Sequence, residues 1–306
     1  MYDSYPFEEE IAATIAAVRG GANPNRLQRT YNNEVTTPLC LVAEWGQVDD
    51  VRFLVEHGAF IDGVPGHGGN PLVIALIRHR PAVVRALLEM GAHPQGSVSG
   101  PEAPYEPALF WPCELFKGQP ELDRLLLDFG ADPNVRGKNN ETPLMRAVLF
   151  GDLEIATMLV ASGADTELRD DNGFTALASA AHAPHPNDKM LNVARVLLEY
   201  GAIVDCQVGR NQFTPLMLCC LQSSAGPFLF PFVELLVEFG ADVNARGTQG
   251  QTPLLVACRS GYAYVVRLLL AHGADPNARD NEGNNPARFA EKHPSVRAVL
   301  TEADGK

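Results

Sequence analysis

The chain has no run of about 18 apolar residues, the length a membrane-spanning helix needs, so no transmembrane segment is expected and no membrane partner. No signal peptide is recognisable at the N-terminus, and a reducing compartment, cytoplasmic or nuclear, is the expected location. The six cysteines include no CxxC pair, which removes the usual zinc and thiol-redox signatures. Cys219 and Cys220 are adjacent, but they fall on a helix face where small residues permit close packing. Lysine is scarce, five against 19 arginines, a bias that genome composition or avoidance of lysine modification would each produce. The net charge of −13 lacks the clustered positive charge that phosphate binding requires, so no nucleic-acid partner is expected. No glycine-rich phosphate loop, nucleophile elbow or convergent carboxylate pair is present. Neither a cofactor nor a metal is therefore expected.

What the chain does contain is punctuation. Its 27 glycines and 23 prolines recur at regular places among 46% hydrophobic residues. Thr252 to Asn277 shows the pattern most clearly. Thr252 can cap a helix with its hydroxyl, and Pro253 suits the first helical position. Leu254, Ala257 and Cys258 then share one face at helical spacing. Gly261 breaks the run, and Val265, Val266, Leu268, Leu269 and Leu270 supply the apolar face of a second helix. Gly273 can end it in the left-handed conformation, and Pro276 prevents its resumption.

The Gly-Ala pair that closes this unit recurs with glycine at 21, 58, 91, 130, 163, 201, 240 and 273. The intervals are 37, 33, 39, 33, 38, 39 and 33 residues, a fixed period with local insertions. First helices are predicted to start at Thr37, Asn70, Glu106, Thr142, Thr175, Thr214, Thr252 and Asn285. With the words Thr37-Pro38-Leu39, Thr142-Pro143-Leu144, Thr175-Ala176-Leu177, Thr214-Pro215-Leu216 and Thr252-Pro253-Leu254, the pattern resembles the ankyrin-repeat family over about residues 8–302. The resemblance implies an all-α solenoid of helix-turn-helix units joined by β-hairpin-like fingers. It would form a single domain over 1–306: a half repeat at 8–25, then two-helix repeats starting near 32, 65, 101, 137, 170, 209, 247 and 280. The half repeat is a natural cap or a truncation. Glu291, Lys292, Arg297 and Glu302 give the last repeat a polar outer face, so the array is expected to end there without a catalytic or degradation-adaptor domain. One departure runs throughout. The histidine of the family's motif is replaced by Cys40, Val73, Leu109, Met145, Ala178, Met217, Leu255 and Arg288. Apolar burial must then substitute for its hydrogen bonds, and the fingers are expected to be held less rigidly.

The resemblance further implies a non-catalytic protein-interaction module; a protein or peptide is expected to bind in its concave groove, and the chain is expected to be a monomer. Three links between paired helices are lengthened, at residues 112–120, 182–189 and 222–231, and the fingers at 26–36 and 96–104 are longer too. Such insertions arise from function or from drift of surface loops. They place the expected groove site in the irregular middle, residues 106–240. The position before each cap should lie on a finger, and the seventh and eighth after it at the far end of the first helix. Those positions supply Trp45, Arg78, Tyr105, Leu149, Phe150, Phe174, His182, Phe213, Leu221 and Arg259 as candidate partner-binding residues. Aromatic residues rimmed by polar ones mark recognition surfaces, although the same rings could instead pack against neighbouring fingers. Charge around them is mixed, with Arg78, Lys138, Arg210 and Arg259 near Glu44, Glu114, Glu141 and Asp171. An alternative is an enzyme or small-molecule binder with a pocket beside Phe174, His182 and Phe213, where His182 would be the general base. His185 and Asp188 lie in the same loop, but Pro184 and Pro186 break the helical spacing a metal pair would need.

Overall fold

A computed structural model describes residues 5–30, 33, 35–64, 69–96, 107–111, 120–183, 187–221 and 229–304. The described chain is α-helical, with a two-stranded antiparallel ribbon pairing Gln28–Arg29 with Val35–Thr36 and a single bridge between Val208 and Phe213. It divides into two compact units, Met1–Lys138 and Asn139–Lys306. Unit 1 contains α1 (Tyr5–Arg19), the pairs α2 (Pro38–Trp45) with α3 (Val48–Glu56) and α4 (Pro71–Ile77) with α5 (Pro81–Glu89), and then α6 (Glu121–Asp128). Unit 2 contains α7 (Pro143–Phe150) with α8 (Leu153–Ala161), α9 (Ala176–His182) with α10 (Asp188–Glu199), α11 (Pro215–Leu221) with α12 (Leu229–Glu238), α13 (Pro253–Ser260) with α14 (Ala263–Ala271), and α15 (Pro286–Ala290) with α16 (Pro294–Asp304). In unit 2 the first helices α7, α9, α11, α13 and α15 pack side by side in chain order, and the second helices α8, α10, α12, α14 and α16 do the same.

Each first helix begins the same way. The side-chain oxygens of Thr37, Asn70, Thr142, Thr175, Thr214, Thr252 and Asn285 accept the N–H three residues on, at 3.0–3.4 Å. Six of these caps are almost fully buried, with Asn285 the exception, so no water could replace them if they were lost. Glu106, the remaining predicted cap, lies outside the described residues. At the other end of each repeat the glycine of the Gly-Ala pair is left-handed, with φ of 87° at Gly273. A substituted Cβ at Gly273 would meet nothing within 4 Å, so the requirement there is the backbone angle and not space.

Repeats are tied to one another at that turn. Asn25, Asp62, Glu167, Asp205 and Asn244 each present a side-chain oxygen to a backbone N–H of the next repeat, on Phe60, His93, Ile203, Asp242 and Asp275, at 2.7–3.2 Å. Asn25 and Asn244 use both ends of the amide, donating also to the carbonyls of Gly58 and Gly273. By contrast, the Arg52–Glu89, Arg195–Glu238 and Arg267–Glu302 pairs between successive second helices are exposed and contribute little.

The fingers are held in a way the motif words did not disclose. In the slot of the missing histidine, Val73, Leu109, Met145, Ala178, Met217 and Leu255 are indeed buried. Cys40 does more, since its thiol donates to the Gly69 carbonyl at 3.5 Å and so joins a first helix to the following finger. In unit 2 the fingers are also bonded laterally. Arg169 donates to the Gln207 carbonyl, Gln207 to that of Arg246, and Arg246 to that of Arg279. At the tips, backbone bonds run from Asp171 to Asn139, Thr248 to Asn211 and Asn281 to Gln249. These ties replace the histidine's bonds with links between repeats.

Two outcomes follow. Thr252→Ala is expected to cost about 1–2 kcal/mol in urea unfolding, high for a cap because the freed Leu255 N–H is buried, while Thr252→Ser retains most of the stability. Burial also pushes the thiols up, to about 11 for Cys40 and about 12 for Cys258, and well above the usual value for Cys219. The unfolded chain therefore loses these protons first as pH rises past 9.0. Their contribution to stability is complete below that pH and falls away towards pH 11–12. At pH 8 a thiol reagent is expected to react with these cysteines far more slowly in the native protein than in denaturant.

Candidate functional site

The C-terminal ends of the first helices in unit 2 form a row. It starts with Leu149 and Phe150 on α7 and continues through His182 on α9, Leu221 on α11 and Arg259 on α13. Leu149 is 59% exposed, although Leu144, Met145, Ala147 and Val148 of the same helix are buried. Helical geometry explains this, because the residue seven positions after the cap has rotated off the face that packs on α8 and α9. Phe150 and Leu221 are half-buried, and Arg259 is exposed, its backbone carbonyl bonded to the His293 ring at 3.1 Å.

The finger residue Phe174 reaches this row. Its ring lies 5.3 Å from that of the exposed His182, centroid to centroid and tilted by 35°. The finger itself is stiff, since the Asp170 carboxylate accepts the N–H groups of Asn172 and Phe174. Beside it, Arg146 pairs with Glu141 at 2.9 Å and Asp171 accepts from Asn140 at 2.6 Å, so the acids near the row are engaged.

Phe213 occupies the equivalent place on the next finger, but the structure puts it elsewhere. It is 4% exposed, bridged to Val208 by both backbone hydrogen bonds, and its ring lies against Gly247. A Cβ at Gly247 would stand 2.9 Å from that ring and 2.9 Å from the Asn211 carbonyl. The absence of a side chain at 247 is what lets the ring turn inward. Phe174 meets Gly209 more loosely and stays half-buried. Phe174 and His182 are thus together, while Phe213 belongs to the finger core.

Trp45 and Arg78 come together in unit 1. Trp45 stacks on Phe7 of α1, centroids 4.6 Å apart and rings within 10° of parallel. The Arg78 guanidinium sits 5.2 Å from the Trp45 ring and pairs with Glu44. Arg80 donates to the Glu44 carbonyl at 3.0 Å and to that of Gly46, satisfying carbonyls at the end of α2. Phe7 and Arg80 escaped the sequence reading because neither sits at a repeat position that singles it out. Tyr105, Glu114 and His185 lie outside the described residues. Among the described residues, no group of three or more His, Cys, Asp or Glu side chains could hold a metal ion. Nor is any described helix long and apolar enough to cross a membrane.

Capped helix pairs, left-handed glycine turns and laterally bonded fingers define a helix-turn-helix repeat protein. The family profile described as Ankyrin repeats matches residues 10–96, 109–208 and 189–280. The chain belongs to the ankyrin-repeat family, whose repeats are general protein-interaction modules. It is 31% identical over 229 residues to human Ankyrin repeat and SOCS box protein 16, covering 74% of this chain and 48% of that protein. To E3 ubiquitin-protein ligase KEG of Arabidopsis thaliana it is 28% identical over 269 residues, 84% of this chain and 16% of that protein. To mouse Rabankyrin-5 it is 26% identical over 262 residues, 78% of this chain and 22% of that protein. The matched region thus spans about half the length of these relatives or less.

The two phenylalanines should separate in a stability measurement. Phe213→Ala is expected to cost roughly 3–5 kcal/mol as a buried ring, whereas Leu149→Ala stays within about 0.5 kcal/mol of wild type. Gly247→Ala should destabilise for the same reason as the loss of Phe213, by forcing the ring from its seat.

Proposed function

We propose that unit 2 is a non-catalytic recognition module that binds a protein or peptide on the face made by the ends of its first helices and the adjoining finger. The observation that carries this reading is Leu149, a large apolar side chain 59% exposed at the end of an otherwise buried helix. Around it, Phe150 and the Phe174–His182 ring pair give further apolar area at low entropic cost, because the helix end and the Asp170-braced finger are already ordered. Leu221 and the exposed Arg259 extend the same row, the arginine offering a cation to a carboxylate or an aromatic ring of the partner. Membership of a family of interaction modules supports the same class of function. The five described cysteines, free and buried, suit a protein working in a reducing cytoplasmic or nuclear environment.

Apolar anchors of this kind carry binding energy out of proportion to their number. Leu149→Asp combined with Phe174→Ala is expected to abolish partner capture in a pull-down against the wild type, with the melting temperature changed by no more than a few degrees. Capture undiminished by that pair of substitutions would remove this face as the site.

A further inference from the structure

Unit 1 carries a second surface that the recognition face of unit 2 does not involve. A groove of about 580 Å³ runs along α1 and is closed on its other side by the turn from α2 into α3. Its volume falls in the range of roughly 300–1,000 Å³ typical of ligand sites. The floor is apolar, with Ile15, Ala12 and Ala16 from α1 and the Trp45 ring opposite. Ala12 and Ala16 are exposed although Ile11 and Ile15 beside them are buried, so small side chains on α1 leave the groove open.

Its charges are divided between the ends of α1. Glu8 lines the groove near the start of that helix, where Phe7 stacks on Trp45, and Arg19 lines it at the last residue. Asp50, in the first turn of α3, adds a second carboxylate to the lining. Glu9 on α1 and Asp49 on α3 adjoin these acids in sequence, outside the lining. The lining groups are already placed: Asp50 accepts the Gln47 N–H at 3.1 Å, Arg19 rests 5.1 Å from the Phe53 ring centroid, and Trp45 rests on Phe7.

We infer that this groove docks a short amphipathic helix of a partner protein, antiparallel to α1, with a basic last turn and an acidic first turn. Glu8 and Arg19 lie eleven positions apart on the helix, about 16.5 Å at 1.5 Å per residue, which matches three turns of a bound helix. The antiparallel direction follows from charge. A basic residue at the partner's C-terminal end meets Glu8, an acidic residue at its N-terminal end meets Arg19, and both also suit the partner's own helix dipole. Its apolar face would lie on the alanines and Trp45, a helix-in-groove arrangement.

The test uses the full chain and a synthetic twelve-residue peptide with glutamate in its first turn, lysine in its last, and leucine and alanine along one face. Binding is followed by calorimetry and by tryptophan emission. Saturable binding is expected, weakened at least tenfold by Ala16→Arg, which fills the groove from an exposed position, and unchanged by Ala13→Arg, which lies outside it. Glu8→Lys should weaken binding similarly and be rescued by a peptide whose lysine is replaced by glutamate. Circular dichroism and melting temperature establish that each variant is folded. No saturation up to about 1 mM peptide, or equal loss in Ala13→Arg and Ala16→Arg, overturns the proposal. Self-association of the chain that Glu8→Lys abolishes, with no peptide binding, overturns it too and gives the groove to a second copy.

Discussion

A side-chain oxygen at the end of one repeat and a backbone N–H in the closing turn of the next join neighbouring repeats. Asn25, Asp62, Glu167, Asp205 and Asn244 each offer such an acceptor to an N–H in the turn of the following repeat. That N–H is available because the preceding glycine is left-handed and breaks off the helical bonding. The closing turn of one repeat is therefore the anchor point for the previous one. Removing the glycine's conformation would disturb two repeats at once, which is the nearest-neighbour behaviour expected of a stacked array.

The same economy governs the fingers. Without the family's histidine, a finger in unit 2 is bonded to the fingers beside it, through Arg169, Gln207 and Arg246 and through the backbone bonds at the tips. In unit 1 the histidine slot itself supplies a hydrogen bond to a finger, at Cys40. Lateral bonding also braces the frame from which Phe174 and the helix end at Leu149 project. Under the proposed function this matters, since ordering costs would then be met by folding and not by binding.

Two kinds of surface emerge, and they differ in chemistry. The row on unit 2 is apolar and aromatic with a cation near its far end at Arg259. The groove on unit 1 is apolar at its floor and divided in charge along its length, between Glu8 and Arg19. Under the two proposals, the row would serve as a hydrophobic anchor and the groove as an electrostatically directed one, on a protein of net charge −13.

Most of the fold was legible in the chain because its determinants are local. A cap such as Thr252 bonds three residues away, and a stop such as Gly273 acts on its own φ, so the sequence neighbourhood contains the whole interaction. The repeat length, the helix pairs and the turns could all be read that way. The orientation of finger side chains could not. Phe174 and Phe213 hold the same repeat position, yet one remains half-buried beside His182 and the other enters the core. Phe213 packs on Gly247 of the next finger, far along the chain, while Phe174 reaches Gly209 only loosely and lies against His182. Likewise Trp45 was singled out by its repeat position, but its partner Phe7 lies on another helix. Sequence alone determined what is bonded within a turn or two of itself, and tertiary structure decided which rings face solvent, because that depends on packing between residues far apart in the chain.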